Sequence, residues 1–487
     1  MIKMRQLFTM LAASGLALCA GAEEPAVTNA PPVIIPRPQS MIMGVGRCGN
    51  NGAVRVERVT TIPPEGYELS IRQDGIVIRC SDDAGAFYAR RSLMHIDGTG
   101  GYPCLEIKDA PAFRWRGVHL DCARAFFDKN VVKGILMQMS WYKFNVLHWH
   151  LTDDEFWTLP VPGYPKLLTD AARYKGEGGY PAVKHAVQHY TEAEIKEIIA
   201  YAASLHITVV PEIEFPGHFG AVARAYPELA CRKPDGSLGG GFHPNKIWGV
   251  ACPGNPKTIR FIERALDYVC DVFPSKVIHI GGDECLANLW KSCPACQELM
   301  KREGMKGVEE LQPWVTRYFT AYLEKKGRRV MGWNEMLAGD AVPKSAIGQF
   351  WHHYGIPDGA EGVKRGHEMV MSPTSHCYFD YGQGLGEADP FVYIGGHLPL
   401  SKVYTFDPLA GVPAEMSGKV LGGECCNWTS HTWNKYDLEW KLWPRGMAVA
   451  EALWTAPKKR DYDAFAKRAA EHRRRLVKSH INAAPIK

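Results

Sequence analysis

The sequence predicts a (β/α)8 barrel preceded by a small α/β domain. Three observations carry this. From Phe113 onward, eight short apolar runs alternate with helical stretches over about 340 residues. Polar or aromatic residues follow every one of those runs. The segment before them has a different texture, with period-2 alternation and one helical pattern. A doubly wound sheet is the rival, but no dinucleotide-binding glycine fingerprint and no phosphate-binding loop is present.

Taken in order, residues 1–22 read as a secretory signal peptide. Lys3 and Arg5 precede the apolar run Leu7 to Leu18, and Ala20-Gly21-Ala22 offers a small-x-small cleavage site. The run is too short to span a bilayer. Lipoprotein anchoring at Cys19 is disfavoured by Leu18, which is bulky where a small residue is expected. The expected location is therefore secreted or periplasmic, with no transmembrane segment. Residues 23–32 read as a flexible leader.

Residues 33–111 read as the accessory domain. Its strands are Tyr67–Ile71 and Gly75–Arg79, and its helix is Ala84–His95. Residues 112–457 read as the barrel. Its strands are Gly117–Leu120, Val146–Leu151, Ile207–Ile213, Val277–Ile280, Val330–Trp333, Ile347–Trp351, Met369–Ser372 and Val420–Gly423. Helices fall at Val131–Lys143, Glu192–Leu205 and Thr258–Val272. No helix is evident between the seventh and eighth strands. Residues 458–487 read as a basic helical tail, with Arg473-Arg474-Arg475 on a solvated face.

The composition, 46% hydrophobic and 22% charged, is that of a globular protein. Two positive charges and no negative ones leave with residues 1–22, so +5 becomes +3. Such a chain lacks the electrostatic footprint of a nucleic-acid binder. Of 14 cysteines, 13 remain without Cys19, an odd number that leaves at least one unpaired or intermolecular. Cys293-Pro-Ala-Cys296 reads as a local disulfide, a redox pair or half a zinc site. The zinc reading is weak, since no second CxxC exists. Cys425-Cys426 reads as two packed thiols on opposite faces of a strand.

In such barrels, chemistry sits just past the C-terminal strand ends. There the sequence places Asp121 and Arg124, then His148, His150 and Asp153-Asp154. Glu212, Glu214 and His218 follow, then Gly281-Gly282-Asp283-Glu284. Further on come Trp333 with Glu335, Trp351 with His352, Tyr378 with Asp380, and Trp428. The adjacent carboxylates are the sharpest signal. Like charges push one pKa up, so one carboxyl stays protonated to donate while the other stays charged. An acid-decorated helix N-terminus reads equally well from the dipeptide alone. His148, His150, His218 and Asp283 could also hold a metal, which would make a metal-dependent hydrolase, but packing around Trp149 or a His150–Asp153 pair explains the histidines as well. Trp333, Trp351, Tyr378 and Trp428 at different strand ends could wall a sugar pocket, or each could be core. Arg124 suits planar hydrogen bonding to vicinal hydroxyls or to an anion.

Five longer motifs then resemble family-20 glycoside hydrolases, the β-N-acetylhexosaminidases. They are Trp115-Arg-Gly-Val-His-Leu-Asp-Cys-Ala-Arg124, Asn145-Val-Leu-His-Trp-His-Leu-Thr-Asp-Asp154, Pro211-Glu-Ile-Glu-Phe-Pro-Gly-His218, His279-Ile-Gly-Gly-Asp-Glu284 and Gly332-Trp-Asn-Glu335. Ile35-Pro-Arg-Pro38 and the small α/β unit resemble that family's accessory domain.

The resemblance implies an exo-acting, retaining enzyme that removes terminal GlcNAc or GalNAc from glycans. It implies substrate-assisted catalysis with no metal and no cofactor. Glu284 would be the acid and then the base, and Asp283 would orient the 2-acetamido group. Asp153 and His218 would support Glu284, with His150 beside them. Tyr378 would bind the acetamido oxygen, Trp333, Trp351 and Trp428 would enclose the sugar, and Arg124 and Asp380 would bind hydroxyls. A non-catalytic sugar-binding relative is the remaining alternative.

Two departures from the family pattern stand out. Ser430 replaces the Glu of a Trp-x-Glu segment, which would relax repulsion of a sulfated sugar or change neutral-sugar preference. A Trp is missing before Tyr404-Thr-Phe-Asp-Pro408, where Tyr393 or Ile394 would stand in.

Overall fold

A computed structural model describes residues 31–49, 53–96, 99–175, 188–237, 249–339, 341–390 and 396–486. Residues 1–22, Cys19, most of the leader, and Tyr393 with Ile394 lie outside the described residues.

Five strands open the fold: β1 (Ser40–Cys48), β2 (Val54–Arg58), β3 (Tyr67–Arg72), β4 (Gly75–Cys80) and β5 (Tyr102–Asp109). They form one sheet in the order β1-β5-β3-β4-β2, antiparallel except for β2 against β4. Alternation in β3 and β4 turns Tyr67, Leu69, Ile71, Ile76 and Ile78 inward, where they meet Tyr88 and Ala89 of the helix Asp83–His95. Asp82 caps that helix by accepting from the Gly85 N–H at 2.7 Å.

Buried polar contacts tie this part of the chain to residues that follow it. Asp109 accepts from the Trp454 indole at 2.9 Å and pairs with Lys143 at 3.0 Å, while Arg116 pairs with Glu65 at 2.9 Å. A buried charge without such a partner would be strongly destabilising.

Eight parallel strands then close into a barrel: β6 (Trp115–Asp121), β7 (Val146–His150), β8 (Thr208–Glu212), β9 (Val277–His279), β10 (Arg329–Trp333), β11 (Ile347–Phe350), β12 (Met369–Met371) and β13 (Val420–Asn427). Outer helices include Lys129–Trp141, Glu192–Ser204 and Pro256–Val272. Thr191 and Glu194 form a capping box at the second. The third starts with Pro256 behind the Asn255 cap and buries Phe261, Ile262, Ala265, Leu266 and Val269 along one stripe.

The barrel interior is layered. Trp115, Val146, Val210, Met331, Ile347, Val370 and Leu421 fill its lower end as an apolar plug, each large side chain contributing on the order of 1.5–3 kcal/mol. The next layers up are polar, built from His119, His148, Glu212, His279, Gln349 and Glu424.

The tail helix, Tyr462–Lys478, buries Phe465, Ala469 and Leu476 in the main core. The expectation of a solvated arginine run needs correction. Arg473 donates to the Ala484 carbonyl at 2.8 Å and Arg475 to the His95 carbonyl at 2.8 Å. Arg474 stays at the surface, paired with Glu471. Buried backbone carbonyls need donors, and the long arginine stems reach those of Ala484 and His95. Cys425 and Cys426 lie on β13 and face different clusters, the barrel core and the aromatic group around Trp333 and Tyr378. Among the described residues, no helix is long and apolar enough to cross a membrane.

Candidate active site

The C-terminal strand ends surround a cavity of about 180 Å³. Its wall holds Arg124, His218, Asp283, Glu284, Trp351, Tyr378, Asp380, Trp428 and Ser430. Asp154, Glu155, Thr374, Tyr381 and His431 also line it. This volume is small against the 300–1,000 Å³ of ordinary ligand pockets, a size for one sugar ring rather than a chain.

Gly281 and Gly282 bring Asp283 and Glu284 into this space. Gly281 has φ +67°, and a Cβ there would lie 1.7 Å from Glu214 Oε2. Only glycine fits. Glu284 and His218 themselves hold left-handed backbone, φ 45° and 46°. Such conformations cost non-glycine residues free energy and persist where surrounding structure imposes them.

A relay of charged groups runs down from the two acids. His218 Nε2 lies 3.5 Å from Asp283 Oδ2 and 3.6 Å from Glu284 Oε2. Its Nδ1 faces Asp153 at 3.2 Å and Asp154 at 3.1 Å. Asp153 meets His150 Nε2 at 2.9 Å, and His150 Nδ1 reaches Glu212. Burial works against the His218 charge, but Asp153 and Asp283 prevail and hold its pKa well above the usual value. Burial likewise opposes the charge of His150, and Glu212 and Asp153 raise it to about 10.

The sequence expectation that one carboxyl of the Asp283-Glu284 pair is raised fails for Glu284. Burial pushes it up, but the close contact and charge of His218, with the charge of Arg124, bring it below the ordinary carboxylate value. Three other carboxyls around the site are raised. Burial and the Asp283 charge push Glu335 up to about 8. Burial raises Asp380 to about 6 against the pull of Lys441 and Arg445. Burial and Asp283 also hold Glu214 well above the usual range.

Arg124 is heavily engaged. It contacts Asp153 at 2.7 Å, Glu155 at 3.0 Å and Asp121 at 3.4 Å, and it lies 5.1 Å over the Trp428 ring. Asp121 also accepts from the Thr429 N–H at 3.1 Å, joining the first and eighth strand ends. Trp351 and Tyr378 stack with ring centroids 5.9 Å apart and 16° between planes. The Trp351 indole donates to Glu335 at 2.9 Å. Burial raises the Tyr378 pKa well above 10, so its hydroxyl is a donor across the working pH range. Asp283 Oδ1 and Asp380 Oδ1 are buried with no hydrogen-bond partner among the described residues.

Two expectations from the sequence do not hold in the folded chain. Trp333 does not line the pocket. It is fully buried, donates its indole N–H to Glu212 at 2.8 Å, and lies behind Trp428. Its N–H needs a partner, and the buried carboxylate supplies one. The metal set of His148, His150, His218 and Asp283 does not assemble either. His148 is held between Glu424 at 2.7 Å and Glu212 at 3.1 Å, away from His218.

The motifs alone give Glu212 no role. It takes contacts from His279 at 2.8 Å, His148, His150 and Trp333, and so organises the floor. Its second place in Pro211-Glu-Ile-Glu214 was the available signal.

Comparison with known proteins places these features. The model of the glycosyl hydrolase family 20 catalytic domain matches residues 113–457, and that of the family's domain 2 matches residues 44–110. A β-hexosaminidase of Akkermansia muciniphila is 31% identical over 463 residues, covering 93% of this chain and 92% of that protein. One from Porphyromonas gingivalis is 34% identical over 438 residues, covering 86% and 54%. One from Vibrio furnissii is 35% identical over 405 residues, covering 80% and 65%. The chain therefore spans about half to two thirds of the length of those last two relatives.

Among solved structures, the GH20 exo-β-N-acetylglucosaminidase of Vibrio harveyi with N-acetylglucosamine superposes with a TM-score of 0.85. It is 27% identical, over 95% of this chain and 80% of that one. The β-N-acetylhexosaminidase of Bacteroides fragilis gives a TM-score of 0.81 at 26% identity, over 93% and 97%. Matched over both its barrel and the sheet before it, this chain belongs to glycosyl hydrolase family 20.

Proposed function

We propose that the protein is an exo-acting, retaining β-N-acetylhexosaminidase that releases terminal GlcNAc or GalNAc by substrate-assisted catalysis. One observation carries this reading. Asp283 and Glu284 face one single-sugar cavity with charged His218 touching both. The names of the Akkermansia and Vibrio relatives agree with it.

In this reading Glu284 protonates the glycosidic oxygen while the substrate's acetamido carbonyl attacks the anomeric carbon. An oxazolinium forms and the aglycone leaves with the proton. Glu284 then deprotonates water, which opens the ring with net retention. A second enzyme carboxylate is not needed as nucleophile.

Asp283 accepts the acetamido N–H with its unpartnered Oδ1 and balances the positive charge that grows on the amide. Tyr378 donates its O–H to the acetamido oxygen. Trp351 and Trp428 pack the ring, with Trp333 supporting them from below. Arg124 and Asp380 bind hydroxyls. Glu284 is partly open to water in this structure, its side chain 42% exposed. A sugar in the cavity strips that water and raises its pKa toward the value an acid needs. Residues 1–22 support export to the periplasm or medium.

Aryl β-N-acetylglucosaminide, β-N-acetylgalactosaminide and β-glucoside separate the possibilities. The acetamido sugars are expected to turn over and the plain glucoside to lag by at least about 10³-fold. Equal turnover of the glucoside overturns the reading.

A further inference from the structure

Away from the sugar pocket, four cysteines from two loops converge. Cys231 and Cys252 follow β8, beside the antiparallel bridge of Ala230 with Ala251. Cys293 and Cys296 open the helix Pro294–Glu303 after β9. All four are buried, and their sulfurs lie within 4.8 Å of one another. Three separations are 3.6 Å (Cys231–Cys296), 3.6 Å (Cys252–Cys293) and 3.7 Å (Cys252–Cys296).

These lengths discriminate. A disulfide needs about 2.05 Å. A tetrahedral zinc with Zn–S bonds near 2.3 Å needs sulfurs about 3.8 Å apart. The observed edges match the tetrahedron. The zinc half-site in Cys293-Pro-Ala-Cys296 thus finds its missing ligands in two cysteines that form no CxxC. The first turn of the helix adds N–H dipoles that favour thiolates at Cys293 and Cys296.

We propose that Cys231, Cys252, Cys293 and Cys296 bind one structural zinc ion. Binding converts four thiols and Zn(II) into a tetrathiolate, releasing four protons to solvent with no change of oxidation state. Four sulfur ligands close the coordination shell, so the ion has no open position for substrate. Its place in the fold gives it a task. The surrounding cluster, with Trp290, Leu299, Met300 and Leu311, is separate from the barrel core. The two loops already touch there, since a Cβ on Gly254 would lie 2.0 Å from the Ala295 carbonyl. The ion staples the segment that begins at Cys285, directly after Glu284, to the loop that follows His218.

The full chain, purified without chelator and incubated with zinc under reducing conditions, is tested by elemental analysis. One zinc per chain is expected, with its loss in Cys252→Ser and Cys293→Ser and its retention in Cys270→Ser. Cobalt exchange into the unaltered chain gives the intense visible bands of a tetrahedral tetrathiolate, a reading independent of how the variants fold. Stripping with an organomercurial should lower the unfolding temperature. A chain that takes up neither metal overturns the proposal. So does one that gains two disulfides among these cysteines under air while holding no zinc.

Discussion

Glu335 offers a quantitative test of the electrostatics around the pocket. Its side chain is buried beside Asp283, with the Trp351 indole donating to it. Burial first, then the Asp283 charge, raises its pKa from 4.5 to about 8. A carboxyl raised on folding contributes stability that is present below pH 4.5 and lost as pH rises toward 8. At pH 7 the unfolded chain is ionised there and the folded one is not, a difference of about 3 kcal/mol against the fold. Glu335→Gln keeps a carbonyl oxygen for the indole and removes the ionisation from both states. The stability of the variant relative to the parent should therefore climb by about 3 kcal/mol between pH 4.5 and 7. Any fixed packing cost cancels in that comparison. Urea unfolding at steps across this range reads it directly. A difference that stays flat, or falls, refutes the assignment.

Replacing His218 should move the pH profile. With Glu284 as the acid, kcat/KM falls as pH rises through its free-enzyme pKa. His218→Gln removes the charge and the imidazole contact that hold that pKa down, so the alkaline limb should shift to higher pH while the maximum drops. A limb that stays put or moves down contradicts the relay. Gly281→Ala should destabilise the fold by about 3 kcal/mol or more, read by thermal unfolding, because its Cβ meets Glu214 at 1.7 Å and its φ is +67°. Ser430→Glu should reduce activity on a 6-sulfated aryl N-acetylglucosaminide more than on the unsulfated one. Equal losses on both would remove the case for tolerance of anionic sugars.

The barrel was legible because its strands are buried and short, and each ends on polar chemistry. Val146–His150 and Arg329–Trp333 fall within a residue or so of their expected bounds. The accessory sheet was only half legible. Tyr67–Arg72 and Gly75–Cys80 alternate cleanly, but β1 exposes Ile42 and Val45, and β2 is largely exposed. Without a buried face the period-2 signal fades.

At the site, the motifs named Asp283, Glu284, Asp153 and His218, yet not the depth of each side chain. Trp333 and Trp351 both sit at strand ends, and only the closed barrel shows one as floor and the other as wall. Nor does adjacency in sequence decide which acid is raised. His218 and Arg124, both distant in the chain, lower Glu284 against its burial. The cysteine cluster was hidden for the same reason, since Cys231 and Cys252 meet Cys293 only through the packing of two loops.

The most direct measurement uses aryl β-glucosaminides whose N-acetyl group carries zero to three fluorines. Each fluorine weakens the carbonyl oxygen as a nucleophile while changing the sugar little. If that oxygen attacks the anomeric carbon with Asp283 and Tyr378 holding it, kcat/KM should fall steeply and progressively along the series. A flat series would show that the acetamido group is only bound, and would contradict substrate assistance.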